Sequence, residues 1–159
     1  MTGPAYGVLR PVTPLASVLL AENPSPMTLE GTNTWVLRAP GEESCVVIDP
    51  GEEDDEHLRR VAAQGSVALV LLTHRHPDHA GGARRFAELT GAPVRALDPS
   101  LVLGSEALGD GDVVTAAGVE LRVSPLRATR RTRCRSCSTG RAQTRLCSPA
   151  TPFSAAAPR

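Results

Sequence analysis

Thr73-His74-Arg75-His76-Pro77-Asp78-His79-Ala80-Gly81-Gly82 places three imidazoles and a carboxylate within six positions, directly after the continuous apolar run Val67 to Leu72. A run of that composition reads as a strand buried on both faces, so the polar cluster stands where a buried strand ends. In extended backbone alternate side chains share a face. His74 and His76, and Asp78 if the extension continues, can converge on one point, and a turn at Pro77 can bring His79 beside Asp78. Imidazole and carboxylate suit zinc at ~2.0–2.2 Å, and an open position on such an ion holds a water whose pKa falls to about 7. The resulting hydroxide is a nucleophile.

Outward from this stretch the pattern alternates between strands and helices. Downstream, Ala83, Phe86, Ala87 and Thr90 recur at helical spacing, Gly91 offers a stop, and Pro93 to Leu97 reads as another strand, giving a βαβ unit. Val113-Val114 and Val119 to Val123, joined across Ala117-Gly118, read as a hairpin. Upstream, the acidic run Glu52 to Glu56 precedes Leu58, Val61 and Ala62 at helical spacing, with Gly65 beyond; acidic residues favour a helix N-terminus. The run is a solvated helix start, and His57 on that helix is a helix-face residue without an assigned role. Asn33 to Leu37 and Ser44 to Ile48 read as strands of an opening meander that follows the apolar stretch Leu15 to Leu20. Asp49, at the end of one of these strands, is either a plain turn aspartate or an acceptor that orients a ligand.

The chain has 159 residues and is 41% hydrophobic, ordinary for one globular domain. No apolar run approaches the ~18 residues of a membrane span, and residues 1–20 lack the pattern of a secretory leader, so the cytoplasm is the expected compartment. The net charge of zero conceals a split. Residues 1–123 hold 9 arginines against 17 acidic residues, a net of −8, whereas residues 124–159 hold 8 arginines and no acid; there is no lysine anywhere. The second stretch is crowded with Ser, Thr, Pro and Cys and has no periodicity that would build a core. The expected organisation is a domain over 1–123 and an unstructured, arginine-rich tail over 124–159.

The pattern Thr-His-x-His-x-Asp-His-x-Gly-Gly resembles the hallmark of the metallo-β-lactamase superfamily, which includes glyoxalase II, lactonases, ribonucleases and β-lactamases. Pro24 to Leu37, centred on Glu30-Gly31-Thr32-Asn33-Thr34-Trp35, and Val46-Val47-Ile48-Asp49-Pro50-Gly51 are similar to the branch containing lactamase-β-like endoribonucleases and glyoxalase II. The resemblance covers roughly residues 15–123. It implies an α/β (α+β) fold, the N-terminal half of a four-layered αββα sandwich. It also implies a dinuclear zinc hydrolase in which His74 and His76 serve the first metal and Asp78 and His79 the second. Asp78 would further steer the bridging hydroxide and act as acid or base. The implied substrate is a small ester or thioester, or an RNA phosphodiester, with no membrane partner.

The family pattern also includes a later histidine in Pro-Gly-His-Thr, a bridging aspartate in Thr-Gly-Asp and a final histidine. No histidine follows His79. The loss coincides with the composition break near Ser124 and suggests a shift of reading frame. In a G/C-rich gene, taking the last base of each codon with the first two of the next lets Leu126 to Arg130 yield Pro-Gly-His-Thr and Leu146 to Pro152 yield Val-Leu-Thr-Gly-Asp-Thr. The chain as written is then expected to hold half a metal site, to be inactive, and to expose an apolar sheet face.

Two other readings concern the tail. Its eight arginines could bind nucleic-acid phosphates, although Phe153 is its one aromatic, which leaves little base stacking. Cys134 and Cys137 with Cys147 could form a zinc ribbon but lack a fourth ligand nearby, and with Cys45 they do not resemble a disulfide framework.

Overall fold

The computed structural model describes residues 5–124 and the backbone of 153–156. Its elements run β1 (Arg10–Pro11), β2 (Ala16–Leu20), β3 (Asn33–Leu37), β4 (Ser44–Ile48), α1 (Asp55–Ala62), β5 (Ser66–Leu72), α2 (Pro77–Ala80), α3 (Ala83–Thr90), β6 (Val94–Ala96), β7 (Val113–Ala116), β8 (Val119–Val123) and β9 (Phe153–Ala156). None of the described helices is long and apolar enough to cross a membrane.

β1 to β6 form one mixed sheet in sequence order. The first four strands are antiparallel neighbours, and β4, β5 and β6 are parallel, joined by crossovers through α1 and then α2 and α3. The parallel strands are apolar on both faces, and the alternation along them sorts two cores. Val47, Val70 and Leu72 meet Leu58 and Val61 of α1 and Phe86 of α3. Val46, Ile48, Leu69 and Leu71 point the other way, onto Val114, Val119, Leu121 and Val123 of the hairpin β7–β8. The layers are helices, large sheet, small sheet, as the α/β reading requires.

Local signals explain the boundaries. Asp54 caps α1 by accepting from the backbone N–H groups of Glu56 and His57, so the acidic run is the helix start it was read as. α3 ends at Gly91 in the left-handed region, φ 72°. Ala117 and Gly118 both take positive φ, 49° and 67°, the backbone of a tight hairpin turn whose twist suits the flanking strands.

On the side of the sheet away from the helices, β7 and β8 cover the buried cluster of β4 and β5. Within the stretch 124–159, residues 153–156 form the backbone of β9, which pairs antiparallel with β8 from Glu120↔Ala156 to Val123↔Phe153. The free edge of β8 offers backbone donors and acceptors whatever the added strand's composition, which is why side-chain periodicity gave no warning. The re-read motifs between Leu126 and Pro152, the cysteines Cys134, Cys137 and Cys147, and the arginines proposed to bind nucleic acid lie outside the described residues.

Candidate metal centre

The parallel strands β4 and β5 end together, and the polar cluster is built where they stop. Asp49 N–H donates to Leu71 C=O over 3.0 Å, which sets the Asp49 turn directly beside Thr73. Asp49 adopts φ 52°, a left-handed conformation that aspartate tolerates better than most residues. This bend turns its carboxylate inward, where it is 1% exposed. Two backbone bonds then tie the neighbouring loops together, Gly51 N–H to His79 C=O at 3.2 Å and Gly82 N–H to Gly51 C=O at 2.8 Å. The approach at Gly82 is so close that a Cβ there would lie 2.4 Å from the Glu52 carbonyl oxygen. The glycine that ends the histidine motif is therefore needed for the two loops to meet.

The buried Asp49 carboxylate accepts three hydrogen bonds. Oδ1 accepts from Thr73 N–H at 2.8 Å, while Oδ2 accepts from the Thr73 hydroxyl at 2.6 Å and from His79 Nδ1 at 2.9 Å. Thr73 has a single hydroxyl proton, and it goes to Asp49. At its 2.8 Å contact with His74 Nδ1 the threonine oxygen must then accept, so His74 carries its proton on Nδ1. One carboxylate thus places a proton on Nδ1 of two histidines, so that in the neutral ring of each the lone pair lies on Nε2.

His74 Nε2 meets His76 Nδ1 at 3.0 Å, and Asp78 Oδ2 meets His79 Nε2 at 3.2 Å. The His74 and His79 rings lie side by side with centroids 4.3 Å apart. Two donors at ~2.1 Å on a tetrahedral ion stand about 3.4 Å apart, so each pair needs to open by only a few tenths of an ångström to share one cation. The donor types and spacings fit a divalent metal. Asp49, His74 and His79 also offer atoms within 4.8 Å of one another, and Asp49 accepts three hydrogen bonds from Thr73 and His79. Three accepted hydrogen bonds suit Asp49 to orienting the two rings, and the pairs His74–His76 and Asp78–His79 present donors at metal-binding spacing.

Electrostatics reinforce this. Burial and the neighbouring His79 push the His74 pKa below its usual value, keeping the ring neutral. For His79 burial pulls the pKa down, but the hydrogen bond and charge of Asp49, with Asp78 beside it, raise it overall. A cation at His79 Nε2 would replace a proton there.

Pro77 opens the four-residue α2, with His76 still extended at its N-cap, and this turn brings Asp78 and His79 together as the motif suggested. His57 does lie on a helix face, but on the buried one, 4% exposed, with Nε2 2.8 Å from Thr34 Oγ1. Thr32 and Thr73 were visible only as members of motifs. Each hydroxyl contacts a site residue, Thr32 donating to Asp78 Oδ2 at 3.2 Å. A hydroxyl next to a candidate ligand in sequence, as Thr73 is to His74, was the one available signal. Cys45 is buried away from this cluster, and burial raises its pKa, which keeps the thiol unreactive.

Residues 27–130 match the family model described as the metallo-β-lactamase superfamily. A hydroxyacylglutathione hydrolase of Pseudomonas putida is 36% identical over 91 residues, covering 56% of this chain and 35% of the relative. An atrochrysone carboxyl ACP thioesterase of Aspergillus fumigatus is 34% identical over 123 residues, covering 70% of this chain and 37% of the relative. The chain thus spans about a third of the length of the curated relatives it matches. Among solved structures, a β-lactamase domain protein from Burkholderia ambifaria superposes with a TM-score of 0.58 at 22% identity, covering 77% of this chain and 48% of the other. A subclass B3 metallo-β-lactamase from a soil metagenome library gives 0.58 at 20% identity, covering 77% and 53%. At that identity the superpositions speak for the fold alone.

Proposed function

The chain belongs to the metallo-β-lactamase superfamily, and we infer from that membership and its paired donors that it is the metal-binding portion of a hydrolase acting on a small thioester. The observation that carries the reading is the pairing of His74 Nε2 with His76 Nδ1 and of Asp78 Oδ2 with His79 Nε2. The thioester class is supported by the hydroxyacylglutathione hydrolase and thioesterase relatives.

His74 and His76 would hold one ion and Asp78 and His79 a second, zinc being the metal this donor chemistry suits. When bound, such ions act as Lewis acids on a carbonyl oxygen and acidify water. Hydrolysis adds water to the thioester carbonyl carbon, breaks the C–S bond and leaves a carboxylic acid and a thiol. Asp78 Oδ1, without a hydrogen-bond partner among the described residues, would take the proton from the attacking water and return it to the departing sulfur. Asp49 and Thr73 hold the rings so that their lone pairs face outward throughout.

Two donors per ion give weak binding, and the 159-residue chain, expected from its missing ligands to be inactive, would at most turn over slowly. The frame-shift reading of residues 124–159 rests on the composition break near Ser124 and on the absence of a histidine after His79. Resequencing the gene across that region tests it, since an unbroken frame would remove the idea.

The activity test is release of free thiol from a hydroxyacyl-glutathione thioester, with and without added zinc. Zinc-dependent release that disappears in Asp78→Ala is expected. Thiol release that ignores both zinc and the substitution would reject the reading.

A further inference from the structure

The loop between β2 and β3 reaches the candidate metal centre through a directed chain of hydrogen bonds. It closes at its base where Ala21 N–H donates to Thr32 C=O at 2.9 Å. Across that base Asn23 is spread over three contacts. Its Oδ1 accepts from Thr32 N–H at 2.8 Å, while its Nδ2 donates to Thr32 Oγ1 at 3.2 Å and to Glu52 Oε1 at 3.1 Å. An amide nitrogen can only donate, so the Thr32 hydroxyl must accept from it. The single hydroxyl proton of Thr32 is then free to point at Asp78 Oδ2, 3.2 Å away. Thr32 is 4% exposed, so the contact is shielded from competing water.

Asp78 needs such a partner. It sits in the four-residue α2, whose N-cap makes no side-chain hydrogen bond, and its side chain is 26% exposed. A carboxylate in so short a helix has several accessible rotamers, of which one brings Oδ2 to His79 Nε2.

We propose that Thr32, oriented by Asn23, is a positioning residue that holds the Asp78 carboxylate in its metal-binding rotamer. The inference rests on the metal reading above and adds to it a pair of residues that touch no donor nitrogen. Glu52, fixed on the far side of Asn23, anchors the pair to the loop carrying Gly51, which is itself bonded to His79. Both sides of the second donor pair are thus held from neighbouring loops, Asp78 through Thr32 and His79 through Asp49.

The test is titration of the full chain with cobalt(II), followed by the visible d–d absorption and by calorimetry. The reference is His76→Ala, which removes a donor of the first pair alone. Loss of an outer partner of a ligand typically weakens metal binding 10–100-fold. Thr32→Val keeps the shape and the Thr32 N–H bond to Asn23 but loses the hydroxyl. It should weaken binding at the Asp78–His79 pair by about that factor, alter its cobalt spectrum, and leave the His74–His76 pair unchanged. Thr32→Ser should restore wild-type titration, and Asn23→Ala should give the same selective loss. Wild-type titration by Thr32→Val, or equal weakening of both pairs in Thr32→Val and Thr32→Ser alike, would overturn the proposal while leaving the metal reading intact. Absence of cobalt binding by the unmodified chain would overturn both.

Discussion

His79 Nδ1 lies 2.9 Å from Asp49 Oδ2, so a histidine from the loop after β5 is held by a carboxylate from the neighbouring strand end. The same oxygen accepts the Thr73 hydroxyl, and through it governs His74. Asp49→Asn should disturb both rings at once, because an amide presents a donor where an acceptor is required. Metal affinity should fall 10–100-fold, and the chain should lose about 1–3 kcal/mol of stability from the mismatched buried contacts. Isothermal titration with zinc and urea unfolding measure the two effects. Wild-type affinity in this variant would show that the outward pairs orient themselves.

His57 makes the fold sensitive to acid. Burial lowers its pKa from 6.5, with Arg60 in the same direction, against Asp54 and the hydrogen bond to the Pro50 backbone. Unfolding returns the ring to its ordinary value, so at low pH the unfolded chain binds a proton that the folded chain refuses. The stabilisation from neutral His57 is complete above 6.5 and is lost as pH falls through the depressed folded value. Unfolding free energies measured from about pH 7.5 down to about pH 5 should decline, and His57→Gln should decline less steeply. Parallel profiles for the two proteins would show that the burial of His57 is not what the acid disrupts.

Leu29 combines two costs. It is 77% exposed and sits at φ 57°, a left-handed conformation in which a leucine Cβ crowds its own backbone. Leu29→Asn should therefore stabilise the chain by about 0.5–1 kcal/mol. Chemical denaturation checks this. A destabilised variant would mean that the side chain makes contacts worth more than the strain.

Most of the fold could be read from the sequence because local signals and burial agree. The run Val67 to Leu72 is apolar at every position and is buried at nearly all of them, the capping Asp54 opens α1, and Gly91 closes α3. β1 was missed because two residues including a proline carry no periodicity, and β9 because a strand recruited to an edge needs only backbone. The histidine-rich loop stood out because density of imidazole and carboxylate is a chemical signal that survives without geometry. The orienting residues were not. Asn23 and Thr32 are nine positions apart, and Thr32 and Asp78 forty-six, so only the folded chain brings them together. The choice for Asp49 between turn residue and orienting acceptor was left open by the sequence, and the structure shows it engaged by both Thr73 and His79.

The most direct measurement is the zinc content and affinity of the purified chain beside those of His76→Ala and Asp78→Ala. If the paired donors hold the metal, the unmodified chain binds zinc, each substitution abolishes one of the two binding events, and the double variant binds none. Undiminished zinc binding in the double variant would contradict the assignment of this loop as the metal centre.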